Sequence, residues 1–296
     1  MNLRILFIGT VKFSEEALEK LIEMKANIVG IITKKESPFN SDFADLSFLA
    51  KKYKIPYLHV KNINSKESIR FIKEKNPDVI YCFGWSQLIK KDILNIPKLG
   101  VIGFHPTKLP ENRGRHPITW ALFLGLTETA STFFFMDEGA DSGDILSQEI
   151  VPINYEDDAG TLYEKITKTA LKQIEEFTYQ LEKGTYKRIP QNNSKANYWR
   201  KRERFDGIID FRMSSRAIYN LVRALSRPYV GAEVKYKENF YKVWKTKEEN
   251  LNLPNAEPGK VLKVEKDKIL VKCYDNGIWL VEHEIEILPN EGEYLI

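Results

Sequence analysis

The sequence predicts an α/β protein in two parts: a mostly parallel sheet with helices on both faces, then a small OB-like β-barrel. Three observations carry this. In the first half, nearly continuous apolar runs alternate with amphipathic ones, the βαβα rhythm of a parallel sheet covered on both faces. From residue 232 onward, five short strand-like runs are separated by turn residues, the pattern of a small barrel. The 296 residues, 43% hydrophobic and 29% charged, favour two domains over one and supply ample core. The expected division is a first domain over 1–195 and a second, helix plus β, over 196–296.

Leu3–Thr10 is the first strand, ending in Gly9-Thr10. Ser14 is placed to cap a helix whose apolar stripe is Ala17, Leu18, Leu21, Ile22 and Met24. Asn27–Thr33 is a second strand, Asp42–Tyr53 a helix, Pro56–Val60 a short extended run and Ser65–Lys75 another helix. Asp78–Phe83 and Gly100–His105 are strands, separated by a helix reaching about Asn95. Thr161–Lys183 is a long helix with Leu162, Ile166, Ala170, Ile174, Phe177 and Leu181 on one face, ended by Gly184. Gln191–Lys195 reads as a polar linker and Ser214–Leu225 as a helix. The barrel strands are Ala232–Tyr236, Tyr241–Trp244, Gly259–Val264, Ile269–Tyr274 and Gly277–Val281. In a Rossmann-like sheet, ligands bind outside the carboxyl ends of the strands. Gly9-Thr10, Gly84-Trp85 and His105-Pro106 are therefore candidates to line one crevice.

Several function classes are excluded or weakened by what is missing. No apolar run approaches the roughly 18 residues of a membrane span, and the start reads as a strand rather than a signal peptide. Cys82 and Cys273 form no disulfide or zinc pattern, so a cytoplasmic location is expected. His59, His105, His116 and His283 are not paired at ligand spacing, so no metal is expected. Neither a GxGxxG after the first strand nor a Walker A sequence is present. The net charge of +4 does not by itself imply nucleic acid, but residues 197–247 carry 13 Lys and Arg against 5 Asp and Glu. That local excess suits either an anionic substrate or a solvated face.

The residues with chemistry cluster in the middle. His105 ends a strand, and Pro106 after it removes an amide donor and fixes the exit of the chain. Arg113-Gly114-Arg115, after Asn112, puts two guanidiniums beside a glycine, suited to an anion. Thr132–Met136 is a strand running into the acidic loop Asp137–Asp144 with its two glycines. Each feature also has a plain reading: a polar strand end, a surface pair of arginines, an ordinary turn.

The stretch from Phe104 to Arg115, FHPTKLPENRGR, resembles the histidine motif of the folate-dependent formyltransferases, and Ala140–Ile145, ADSGDI, resembles their aspartate loop. Gly9-Thr10 with Phe13 is similar to the first strand turn of that family, and Phe83–Ile89 to its folate-side loop. In the second half, LVRA at 221–224, PYVGA at 228–232, Val243-Trp244 and Pro258-Gly259 are similar to the second domain of methionyl-tRNA and nucleotide-sugar formyltransferases. The likeness spans nearly the whole chain.

The resemblance implies transfer of a formyl group from 10-formyltetrahydrofolate to a primary amine, with no metal. His105 would be the general base and Asp141 would orient its ring and favour its charged form. The pterin would lie against Trp85, Ser86, Gln87, Leu88 and Ile89 and against Asp137, Gly139 and Ala140. Thr10, Phe13, Pro106, Thr107, Arg113, Gly114 and Arg115 would face the substrate. Members of the family carry an Asn two residues before the histidine; this chain has Gly103 there. Asn112 and Gln87 are candidates to supply the missing amide.

For the acceptor, two enzymatic readings and one binding reading stand. The tRNA enzymes resemble one another in a basic, glycine-rich insertion after the second strand. The corresponding stretch here, Lys34–Asp42, has a lysine pair but no such loop. That favours a nucleotide-linked amino sugar over Met-tRNA, while the basic stretch at 197–247 would suit tRNA. A nucleic-acid-binding relative with altered chemistry, using Tyr236, Tyr241 and Trp244, is the third reading. A homodimer is compatible with the apolar strands, as is a monomer.

Overall fold

The structure, a computed structural model, describes residues 2–37 and 41–296. The chain packs as two units. The first holds 1–117, 129–152 and 164–199; the second holds 118–128, 153–163 and 200–296.

The first unit is built on a seven-stranded sheet: β1 (Arg4–Gly9), β2 (Asn27–Thr33), β3 (Tyr57–His59), β4 (Val79–Phe83), β5 (Val101–His105), β7 (Glu128–Phe135) and β8 (Ile145–Pro152). The order is β3-β2-β1-β4-β5-β7-β8. Pairing is parallel from β3 to β5, and β7 then runs antiparallel to β5, opposing His105 with Thr132. A separate two-stranded ribbon joins β6 (Arg113–Gly114) to β9 (Tyr198–Trp199). Strand β4 is buried throughout, and β1 and β5 at all but one residue each, as their continuous apolar runs require.

The helices are α1 (Lys12–Glu23), α2 (Ser47–Lys52), α3 (Lys66–Lys75) and α4 (Lys91–Leu94) in the first unit, and α5 (Pro117–Phe123, but for Pro117) and α7 (Ser215–Leu225) in the second. The first residues of α6 (Ala159–Lys183), to 163, fall in the second unit and the rest in the first. Three expectations about them need correction. Ser14 is not the cap of α1 but its third residue: its hydroxyl accepts from the Val11 amide and donates to the Phe83 carbonyl, tying α1 to β4. The helix expected over 42–53 is only α2, because Asp45 turns back to accept from the Ser47 amide and to meet His59. The stretch before Asn95 holds a single helical turn, α4, leaving residues 85–90 irregular at the strand ends. Strand β8, flanked by its acidic loop, and helix α5 were not foreseen.

A block of aromatic rings lies beneath the end of β5. Phe104 packs between Phe13 (4.3 Å) and Phe133 (4.8 Å), and Phe133 continues to Phe83 and Phe177. Offset and edge contacts of this kind stabilise beyond the area they bury. They fix the backbone from which His105 projects.

The second unit is α7 on a five-stranded antiparallel sheet, in the order β10 (Ala232–Tyr236), β11 (Asn239–Glu249), β14 (Gly277–His283), β13 (Lys268–Lys272), β12 (Val261–Glu265). Ser214 caps α7 through the Ala217 amide. The last residues cover both open edges: Ile296 exchanges two backbone bonds with Lys235 beside β10, while Leu295 and Glu293 pair with Gly259 and Val261 beside β12. The tail thus bridges the edges that would otherwise template aggregation, which accounts for the barrel character of the strand pattern. Both cysteines are buried and free; burial pushes their thiols up to about 12, so neither is a nucleophile at neutral pH.

Leu295 is 1% exposed at the centre of this closure. Leu295→Ala should cost about 3 kcal/mol and accelerate hydrogen exchange at the Lys235 and Val261 amides; unchanged exchange there would show the tail to be dispensable.

Candidate functional site

His105 stands at the end of β5 and is almost fully buried. Its Nε2 lies 2.8 Å from the Asn112 carbonyl oxygen. A carbonyl only accepts, so Nε2 carries the hydrogen and, in the neutral ring, Nδ1 keeps the lone pair. Nδ1 faces Asp141, whose Oδ2 is 3.7 Å away. That is too long for a hydrogen bond but close for an ion pair once Nδ1 is protonated. The arrangement fixes the tautomer of the neutral ring and leaves a carboxylate beside the nitrogen that keeps the lone pair.

Asp141 is held from the other side. The Gly114 amide donates to its Oδ2 at 2.9 Å. Gly114 sits at φ +109, and a Cβ there would stand 2.3 Å from the Trp199 carbonyl oxygen, so only glycine lets β9 approach this closely. The Asp141 loop is gripped further by Gln191, whose amide donates to the carbonyls of Asp141 and Gly143. Gln191 in turn accepts from Arg113 Nε and Nη2. Arg113, 2% exposed, also donates to Asn193 and Tyr198.

These contacts reassign several residues. Arg113 was expected to face the substrate, but its donors are committed to side chains of its own chain. Arg115 is the exposed guanidinium of the pair and reaches only the Ser86 carbonyl at 3.4 Å. Thr107 is buried between Glu111 and Thr132, and Phe13 is core beneath the site. Pro106 accepts from Thr129, and Thr10 ties β1 to the Gly84 carbonyl. The stretch 191–195 is not a linker: Gln191 and Asn193 are the partners of Arg113. Their signal in the sequence is the run of carboxamides from Gln191 to Asn197, each able to donate and accept at once.

Of the residues expected to face the pterin, Ile89 is buried, Leu88 is exposed, and the Trp85 indole N–H is buried with no partner among the described residues. An unsatisfied buried donor fits a ligand acceptor there. Lys34 lies over the Trp85 ring at 4.8 Å, and burial lowers its ammonium from the ordinary lysine value. In the facing loop, Asp137 accepts from the Gly139 amide and the Ser142 hydroxyl, shaping the turn around Ala140. Gln87 does not supply an amide to the site, because it bridges Lys61 and Ile63. Asn112 spends its side-chain oxygen on Asn197.

The position of the family's Asn is occupied differently. A Cβ on Gly103 would stand 2.9 Å from both Met136 Cγ and Phe134 Cζ. These two side chains fill the room that a carboxamide would take. Among the described residues, no group of three His, Cys, Asp or Glu could hold a metal ion, and no helix is long and apolar enough to cross a membrane.

Residues 1–178 match the family model described as formyl transferase, and residues 202–287 match formyl transferase, C-terminal domain. The chain is 34% identical to a methionyl-tRNA formyltransferase of Clostridioides difficile, over 99% of this chain and 95% of that protein. It is 32% identical to the enzyme of that name from Kosmotoga olearia, over 93% and 90%. In fold it is similar to WlaRD, a sugar 3N-formyl transferase solved with dTDP and 5-N-formyl-THF, with a TM-score of 0.71 at 19% identity over 97% of this chain and all of that one. It is also similar to an N-formyltransferase from Helicobacter canadensis, with a TM-score of 0.70 at 18% identity over 94% and 98%.

Gly114→Ala should cost about 1–3 kcal/mol and break the bond from its amide to Asp141. A wild-type melting temperature and an unmoved residue-114 amide resonance would contradict this geometry.

Proposed function

The chain belongs to the formyl transferase family, and on that premise we propose that it formylates the amine of a nucleotide-linked amino sugar, with His105 as general base. The formyl group comes from 10-formyltetrahydrofolate. The acceptor amine is nucleophilic only when neutral, and it must lose a proton as the new C–N bond forms. His105 Nδ1 takes that proton, since Nε2–H is held by Asn112. Asp141 is then the counter-ion of the imidazolium rather than its hydrogen-bonded guide. The pterin has the Trp85 side, with an N–H that has no partner among the described residues, and the Asp137–Asp141 turn to lie against.

The observation that carries the acceptor assignment is how the cations of 197–247 are spent. Arg204 and Lys242 share Glu233, Arg200 pairs with Asp206, and Arg212 with Asp210. Arg216 and Arg227 reach Glu248 and Glu282, and Arg223 is buried against backbone carbonyls. Residues 248–296 contribute 11 Asp and Glu against 5 Lys and Arg, so the folded unit is close to balanced. A tRNA acceptor needs many free cations, whereas a pyrophosphate needs few. At the end of the segment that the tRNA enzymes make basic, the Asp42 carbonyl accepts from the Lys12 amide, and just beyond it Asp45 is tied to His59 and Ser47. Pro38, Phe39 and Asn40 of that segment lie outside the described residues. Met-tRNA is the second reading, favoured by the names of the relatives at 34% and 32% identity.

His105→Ala and Asp141→Asn should each lower turnover by about 10²-fold or more with unchanged thermal unfolding; near-normal rates would remove the chemical assignment. Calorimetric titration with UDP- and dTDP-linked amino sugars, in the presence of a tetrahydrofolate analogue, should reveal a binder. Formylation of Met-tRNA with no sugar nucleotide bound would replace the first acceptor by the second.

A further inference from the structure

The carbonyl that fixes the His105 tautomer does not hold itself in place. Asn112 sits in the left-handed region at φ +63, a conformation that leaves the direction of its peptide groups to its neighbours. One residue, Asn197, supplies that direction through three contacts. The Asn112 amide donates to Asn197 Oδ1 at 2.8 Å, Asn197 Nδ2 donates to Asn112 Oδ1 at 3.1 Å, and the Arg113 amide donates to the Asn197 carbonyl at 3.0 Å. The first and third flank the Asn112 carbonyl on both sides along the chain. The second fixes the side chain.

We propose that Asn197 is a positioning residue: it clamps Asn112 so that the Asn112 carbonyl keeps the hydrogen on His105 Nε2 and leaves Nδ1 as the basic nitrogen. This rests on the reading of His105 as the general base. Without the Asn197 side chain the Asn112 amide loses its acceptor, and only the backbone bond from the Arg113 amide to the residue-197 carbonyl still orients the Asn112–Arg113 peptide, so its carbonyl can swing off His105. The neutral imidazole then divides between its two tautomers, and in one of them Nδ1 carries the hydrogen and cannot accept the amine proton. Asp141 favours that second form, because Nδ1–H could approach its carboxylate. The clamp therefore acts against a pull already built into the site. Asn197 itself is exposed and contributes no core packing, so its loss spares the fold.

A carboxylate at 197 provides the rescue. It still accepts from the Asn112 amide, and Asn112 can turn its own side-chain amide over to donate to it. The test is nitrogen NMR of His105 in the full chain, alongside formyl transfer from 10-formyltetrahydrofolate to whichever acceptor, amino-sugar nucleotide or Met-tRNA, the wild type turns over. Wild type and Asn197→Asp should show the Nε2–H tautomer. Asn197→Ala should show a mixture, with kcat down by roughly tenfold or more and KM for the formyl donor within about twofold. A single Nε2–H tautomer in Asn197→Ala, or an unchanged kcat despite a mixture, would overturn the proposal. Normal turnover by His105→Ala would instead overturn the base assignment, and the tautomer measurement would still decide the clamp.

Discussion

On the proposed reading of the site, its chemistry depends on the hydrogen bond from His105 Nε2 to the Asn112 carbonyl. It sets which ring nitrogen is basic, and much of the surrounding structure serves it. The aromatic block of Phe13, Phe104 and Phe133 fixes the strand end on one side. The β6–β9 ribbon fixes the loop on the other. Gly114 is the point where both meet Asp141, with its amide on the carboxylate and its missing side chain leaving room for β9. Arg113 is buried at the next position and spends its charge on neutral partners that hold the Asp141 loop. A buried cation satisfied only by neutral acceptors is costly, and its return here is the rigidity of the carboxylate's backbone.

Gly103 gives the site an apolar wall where relatives of the resembling type place an amide. Phe134 and Met136 close over the glycine, so the change is a repacked surface rather than a hole. On the proposed mechanism, the charge of the reaction is then left to His105 and Asp141 to hold. In a poorly solvated site such a pair acts strongly, because little water competes with it.

The sheet was legible because its signals are local. Continuous apolar runs ending at glycine or histidine marked β1, β4 and β5 closely, and the 3.6-residue stripe marked α6 almost to the residue. What was not legible depends on contacts far apart in sequence. Ser14 looked like a cap because a serine near a helix start usually is one; its real partner, Phe83, is 69 residues away. The charge excess of 197–247 read as a free basic face because the later acids that meet it, such as Glu248 on Arg216 and Glu282 on Arg227, lie outside the stretch. The carboxamides of 191–197 read as linker because their partners, Arg113 and Asn112, lie about 80 residues earlier. His105 and Asp141 were found through the motifs that the resemblance supplied. Composition and spacing alone left them as a strand end and a turn.

The central claim is that Nδ1 of His105 takes the proton of the acceptor amine as the formyl group is transferred to it. The most direct measurement is a crystal structure with 5-formyltetrahydrofolate bound, a stable stand-in for the donor. The account predicts the formyl carbon within about 4 Å of the space in front of Nδ1, beside the Gly103 wall, with Nε2 still on the Asn112 carbonyl. A formyl group bound away from His105, or facing Nε2 with the Asn112 contact broken, would contradict it.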